Sequence, residues 1–222
     1  TFLVTCAAGW EKRATSELRR ALPQSTSRPL FMPGNLLFNT ELPRAEALTV
    51  LEATETTVIA RIVPLDLRAD LVAGSASLDL LYDAARELTV REPGGSFRVV
   101  CHRRGEHEFD SRAVEQQVGT RLADYWGLTA DLELPDQVVS IEIFQNLAFL
   151  SLCWPEELLR KAIVPMQRHG RRPLNRAELK LREACAEFAL ELPAGGRALD
   201  LGAAPGGWSY VLAEQCREVV AV

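Results

Sequence analysis

The chain has 222 residues, 47% of them hydrophobic and 25% charged, a balance that excludes a disordered tail and suits one large or two to three small domains. Its formal net charge of -5 excludes a protein that coats nucleic acid by bulk charge, although a local basic face fits inside an acidic total. No apolar run reaches the roughly 18 residues of a membrane span, and no basic segment leads into an apolar core at the start, so a cytoplasmic protein with no membrane partner is expected.

From the start of the chain, Phe2 to Cys6 reads as a short apolar strand, and Trp10 to Leu22 as a helix with Ala14, Leu18 and Leu22 on one face, closed by Pro23. Leu30 to Met32 and Leu36 to Phe38 read as strands around the turn Pro33-Gly34-Asn35. A helix near Pro43 to Leu51 and a strand from Thr57 to Val63 complete the order β-α-β-β-α-β, that of a ferredoxin-like unit over residues 1–64. A second α/β unit follows. Leu78 to Val90 reads as a helix with apolar positions 78, 81, 85 and 88, and Ser96 to Cys101 as a strand opened by Pro93-Gly94-Gly95. Ser111 is the expected N-cap of a helix running to Trp126, and Val138 to Phe144 with Leu147 to Leu152 reads as a hairpin turning at Gln145-Asn146. Neither unit holds a Ser/His/Asp set, paired carboxylates in an apolar frame or a glycine-rich phosphate loop, so both read as binding or spacing modules.

The five cysteines, Cys6, Cys101, Cys153, Cys185 and Cys216, have no C-x-x-C spacing and read as free thiols. Cys101, His102 and His107 make at most half a zinc site, so no metal is expected. Charge marks a boundary further on: residues 1–159 sum to -8 and residues 160–222 to +3. Between 160 and 182 the cations Arg160, Lys161, Arg168, Arg171, Arg172, Arg176, Lys180 and Arg182 face only Glu178. That run is either a solvated linker or a strip that contacts phosphates, each of which releases condensed counterions when neutralised.

The stretch Phe97-Arg-Val-Val-Cys-His-Arg-Arg-Gly-Glu-His-Glu-Phe-Asp-Ser-Arg112, with Val118-Gly119, Asp131 to Asp136 and Val139 to Ile143, resembles a THUMP domain covering about 65–153. The opening Leu3 to Glu11 resembles the unit that precedes THUMP in that family. The resemblance implies an RNA-binding module with Arg103, Arg104 and Arg112 as candidate phosphate contacts, the alternative being exposed charges that flank a turn.

The sharpest pattern lies near the end. Asn175 reads as an N-cap with Glu178 in a capping-box position, Leu174 and Leu179 as a hydrophobic staple, and Leu181, Ala184, Cys185 and Phe188 as a core stripe. Arg176 and Lys180 place cations in the first turns of that helix, where its dipole disfavours them, so helix stability does not explain them. Arg197 to Leu201 is a buried-type strand, Gly202-Ala-Ala-Pro-Gly-Gly207 a small-residue turn, Trp208 to Cys216 a helix and Val219 to Val222 a strand, the opening of a doubly wound nucleotide-binding fold. The glycines permit close approach of a ligand and leave amide N–H groups at a helix N-terminus free to bind a carboxylate or phosphate. No Lys and Ser/Thr follow the last glycine, and the spacing is not G-x-G-x-x-G, which disfavours nucleoside triphosphates and dinucleotides.

The run Asp200-Leu-Gly-Ala-Ala-Pro-Gly-Gly-Trp-Ser209 resembles the first motif of the FtsJ-like RNA ribose methyltransferases, and Asn175 to Ala184 resembles their S-R-A-x-x-K-L stretch, with Asn175 in place of the usual Ser. That resemblance implies S-adenosylmethionine as cofactor, bound by Asp200, Gly202, Ala203, Pro205, Gly206, Gly207 and Trp208. It also implies Lys180 as the first lysine of the catalytic K-D-K-(E) set, because a ribose 2′-hydroxyl is a poor nucleophile that must be oriented and helped to lose its proton. Arg168, Arg171, Arg172 and Arg176 would guide RNA toward it.

The expected architecture is therefore α/β throughout: a ferredoxin-like unit (1–64), a THUMP-like domain (65–155), a basic linker (156–172) and the start of a Rossmann-like class I methyltransferase domain (173–222). In order, these modules resemble the THUMP-bearing rRNA 2′-O-ribose methyltransferases of the RlmM type, which implies 23S rRNA as partner, with no obligate protein partner evident. A THUMP-type tRNA methyltransferase and a non-catalytic RNA-binding module are the alternatives. The rest of the catalytic set and an acidic ligand for the adenosine ribose are unassigned, so the chain is expected to be part of a longer enzyme.

Overall fold

The computed structural model describes residues 1–72, 74, 76–161 and 175–222, with the backbone alone at 176, 186 and 187. The fold is mixed α/β and divides into two units, Thr1–Lys161 and Ala162–Val222.

In the first unit β1 (Phe2–Cys6), α1 (Glu11–Ala21), β2 (Thr26–Pro29), β3 (Asn35–Asn39), α2 (Arg44–Ala53) and β4 (Ile59–Pro64) form an antiparallel sheet in the order β4-β1-β3-β2. Period-two geometry makes this sheet two-faced. Phe2, Val4, Leu36 and Phe38 pack with Ala14 and Leu18 of α1 and with Ala47 and Leu51 of α2, whereas Leu3, Leu37 and Val63 point the other way. Both faces are covered, which is why these strands read as continuous apolar runs.

A second sheet follows from β5 (Leu67–Asp70), α3 (Ala76–Ala85), β6 (Ser96–Arg104), α4 (Ser111–Trp126), β7 (Thr129–Ala130), β8 (Gln137–Phe144) and β9 (Leu147–Cys153), in the order β5-β9-β8-β6-β7. Strand β6 runs parallel to β7 and β8, and β9 is antiparallel to both β8 and β5. Val114, Val118 and Leu122 of α4 join Leu78, Leu81 and Ala85 of α3 in its core. Phe144 and Phe149 leave that core to meet Leu3, Leu37 and Val63, so the two sheets share an apolar seam. After β9, strand β10 (Leu159–Arg160), inside the segment read as a linker, pairs with β4 and returns the chain to the first sheet.

Several boundaries differ from the sequence reading. The strand expected at Leu30 to Met32 lies at Thr26–Pro29, while Leu30 and Met32 pack on the seam as loop residues. Helix α3 ends at Ala85, although Leu88 is still buried. Asp110, not Ser111, caps α4: its Oδ1 accepts from Ala113 N at 2.7 Å, and Gly127, φ 65°, ends the helix.

At the edge of the seam stands Glu142 of β8, with no exposed side chain. Its carboxylate accepts from Arg61 Nη2 of β4 at 2.5 Å and from Arg104 Nη1 of β6 at 2.9 Å, and His102 Nδ1 lies 3.5 Å away. A second bridge joins Arg44 of α2 to Asp66 and Glu157, the latter also bound by Arg91 at 2.7 Å. Cys101, His102 and His107 do not converge. Burial pushes the Cys101 thiol up to about 12, His102 faces Glu142, and His107 lies between Arg103 and a backbone oxygen.

Two outcomes test the seam. Glu142→Ala leaves Arg61 and Arg104 without their shared acceptor and is expected to cost about 1–3 kcal/mol in urea unfolding, kept modest because both arginines still reach water. Burial also holds His102 below its ordinary value of 6.5, against the opposite pull of Glu142. Below that value the unfolded chain takes up a proton that the folded one resists, so stability should fall with acidification. In His102→Gln that part of the pH dependence should vanish; a profile identical to the parent's would contradict the assignment.

Candidate functional site

The second unit contains α5 (Arg176–Glu187), β11 (Arg197–Asp200), α6 (Gly207–Ala213) and β12 (Glu218–Ala221). Strands β11 and β12 are parallel, with Asp200 beside Ala221, so the glycine turn leaves the carboxyl end of a parallel strand. Open α/β sheets place ligands at such an end.

Each residue of the turn has a definite local task. Asp200 is 5% exposed, and its Oδ2 accepts from Ser209 Oγ at 2.6 Å, tying the strand end to α6. Gly202 and Gly206 have φ of 76° and 91°, backbone that side chains with a Cβ avoid, and a Cβ on either would meet nothing within 4 Å. The space over both is open. The Ala204–Pro205 bond is cis. Trp208 is 46% exposed at the start of α6.

Three amides of the turn ahead of α6 are engaged by backbone oxygens. Gly202 N and Ala203 N donate to Val222 O at 2.8 and 3.1 Å, and Gly206 N donates to Ala203 O. These three donors hold the turn's shape.

Asn175 caps α5 as expected: its Oδ1 accepts from Ala177 N at 2.9 Å and from Glu178 N at 3.1 Å. The staple partner Leu174 lies outside the described residues. Of the expected stripe, Leu181, Ala184 and Cys185 are half-buried, whereas Phe188 is exposed. Glu178 is buried, and its Oε1 accepts from Arg182 Nε at 3.2 Å, while Arg182 Nη2 reaches Glu214 at 2.7 Å. Lys180 is exposed on the same helix.

The arginines named from sequence divide. Arg104 is bound to Glu142 and stacks its guanidinium 4.8 Å from the centre of the Phe144 ring, so it belongs to the seam. Arg103 donates to Gly105 O and meets His107 Nδ1, both at 3.0 Å, beside a cleft lined by His107, Phe109 and Gln117. Arg112 is exposed in the first turn of α4. Arg168, Arg171 and Arg172 lie outside the described residues, as does the side chain of Arg176. Sequence reading missed Arg61, Glu142 and the Arg44 bridge, since charges inside strands and at helix starts ordinarily read as solvent-facing.

Residues 75–152 match the THUMP domain, and residues 173–222 match the FtsJ-like methyltransferase. The two matches follow one another along this chain. An uncharacterized protein of Methanocaldococcus jannaschii is 28% identical over 73% of this chain and 49% of its own length. The tRNA (guanine(6)-N2)-methyltransferase of Thermus thermophilus is 36% identical over 34% of this chain and 25% of its own. Among solved structures, TrmN from Thermus thermophilus superposes with a TM-score of 0.57 at 25% identity, covering 99% of this chain and 64% of TrmN. The chain therefore spans about half or less of the curated relatives named here. The one activity named among them concerns tRNA, not the 23S rRNA that the sequence reading puts first. None of the described helices is long and apolar enough to cross a membrane.

Because Gly202 and Gly206 are glycine for their backbone angles, Gly202→Ala and Gly206→Ala should each lower stability by about 1–2 kcal/mol. Thermal unfolding checks this, with exposed Lys180→Ala as a control that should leave stability unchanged.

Proposed function

We propose that the chain is the RNA-binding and cofactor-binding part of an S-adenosylmethionine-dependent RNA methyltransferase whose substrate is tRNA. The observation that carries this reading is the glycine turn: open over Gly202 and Gly206, fixed by the Asp200–Ser209 bond, set at the end of a parallel strand and preceded in the chain by a THUMP domain. The likeness to the Thermus thermophilus tRNA methyltransferase favours tRNA over rRNA.

In this reading, residues 1–64 form a ferredoxin-like unit, supported by the strand order β4-β1-β3-β2. Arg103 and Arg112 contact RNA phosphates, and the basic residues Arg168, Arg171, Arg172 and Arg176 supply further phosphate contacts; Arg104 is left to the seam. Gly202, Ala203, Pro205 and Gly206 shape the cofactor's seat, Asp200 holds it through Ser209, and exposed Trp208 flanks it. When bound, S-adenosylmethionine supplies an electrophilic methyl group on a sulfonium. The residues of this chain hold that group in line with the RNA nucleophile and exclude competing geometries.

A second reading, ribose 2′-O-methylation of 23S rRNA, is favoured by the FtsJ-like match over 173–222 together with an exposed Lys180 on α5. There the Lys180 ammonium would orient the 2′-hydroxyl and assist loss of its proton.

Incubating the full-length protein with labelled S-adenosylmethionine and separate pools of unmodified tRNA and rRNA, then digesting to nucleosides, tests both readings. Label on a tRNA base, retained in Lys180→Ala, is the expected result. Label in a 2′-O-methylnucleoside of 23S rRNA that disappears in Lys180→Ala would establish the second reading instead. RNA binding without transfer would contradict both and leave a non-catalytic binding module.

A further inference from the structure

We infer that Asn175 is a positioning residue for the glycine turn and acts through Gly207. The inference rests on reading that turn as the S-adenosylmethionine seat. The three glycines at 202, 206 and 207 are glycine for different reasons. Gly202 and Gly206 need left-handed backbone and face open space. Gly207 needs proximity: a Cβ there would collide with Asn175 Oδ1 and lie 2.7 Å from Glu178 N. Its missing side chain therefore makes room for α5, and Gly207 itself is buried. This gives Gly207 a place in the joint between the two helices.

One oxygen serves both elements. Asn175 Oδ1 accepts from the backbone amides of Ala177 and Glu178, fixing the first turn of α5, and the same atom sits over Gly207, where the turn enters α6. A second fastening lies further along, where Arg182 links Glu178 on α5 to Glu214 just beyond α6. The close approach at Gly207 and the Arg182 link at Glu214 set α5 alongside α6. The turn is then bounded at both ends, at its start by the donation of Gly202 and Ala203 to Val222 O and at its exit by the close approach of Asn175 to Gly207. Freeing the exit lets the segment over which the cofactor lies lose its preset shape, at a cost in cofactor affinity. Lys180 rides on the same helix, so its placement relative to the turn depends on the same contact.

The test measures three quantities in the full-length protein: calorimetric affinity for S-adenosylmethionine, affinity for RNA, and hydrogen exchange at the amides of Ala177 and Glu178. Asn175→Ala and Gly207→Ala are each expected to weaken S-adenosylmethionine binding about tenfold, the scale at which supporting residues act on the groups they orient. Both should speed exchange at the two amides and leave RNA affinity unchanged. Asn175→Ser keeps a capping oxygen and should recover most of the loss, and the double variant should lose little more than either single one. A merely structural role would lower thermal stability and leave the affinity of the folded protein intact. The inference is overturned if folded Asn175→Ala binds S-adenosylmethionine as the parent does. A parent protein that fails to bind S-adenosylmethionine overturns the methyltransferase reading itself. Should Gly207→Ala not fold, the Asn175 pair decides alone.

Discussion

Glu142 is a carboxylate with no access to water at the edge of the seam between two sheets, and the arrangement of the first unit depends on how that charge is satisfied. A buried charge persists only when it is paired and hydrogen-bonded. Here one donor comes from each sheet, Arg61 from β4 and Arg104 from β6, so the pairing holds only while the sheets keep their mutual placement. Apolar contact among Leu3, Val63, Phe144 and Phe149 supplies non-directional attraction across the seam, and the ion pairs select one geometry of it. Arg44, reaching both Asp66 and Glu157, repeats the device where the chain passes between the sheets.

This constraint decides which cations face outward. Arg104 is spent on Glu142 and Phe144, whereas Arg112 at the start of α4 is exposed. An RNA track over this unit would be laid by residues that the seam does not need. In the second unit the corresponding constraint is steric. Backbone angles at Gly202 and Gly206 and crowding at Gly207 call for glycine at all three positions, and the bond from Ser209 to buried Asp200 anchors the turn to the strand. A ligand seat that is preset in this way loses little freedom on binding.

Much of this was legible in the sequence because the signals were local. The doubly buried strands β1 and β3 declare themselves as apolar runs, α4 by Val114, Val118 and Leu122, and the cap at Asn175 by residue type. Edge strands did not declare themselves. Thr26–Pro29 is mostly exposed and joined through its backbone to β3, so it carries no apolar pattern, and the nearby apolar Leu30 and Met32 drew the assignment toward a loop that packs on the seam. Leu67–Asp70 was hidden in the same way. Tertiary pairings are the other blind spot. Nothing in Val-Ser-Ile-Glu-Ile announces that its glutamate faces arginines some 40 and 80 residues away. Likewise, nothing in the glycine-rich motif announces that α5 packs against Gly207.

The claim that the Asp200–Ser209 turn is built for S-adenosylmethionine is tested most directly by competitive titration of the full-length protein with S-adenosylmethionine, NAD and ATP. The account predicts saturable binding of S-adenosylmethionine that neither of the other two displaces, because the turn lacks both the dinucleotide spacing and the phosphate-binding Lys. Saturable binding of NAD or ATP at this turn, with no binding of S-adenosylmethionine, would contradict it.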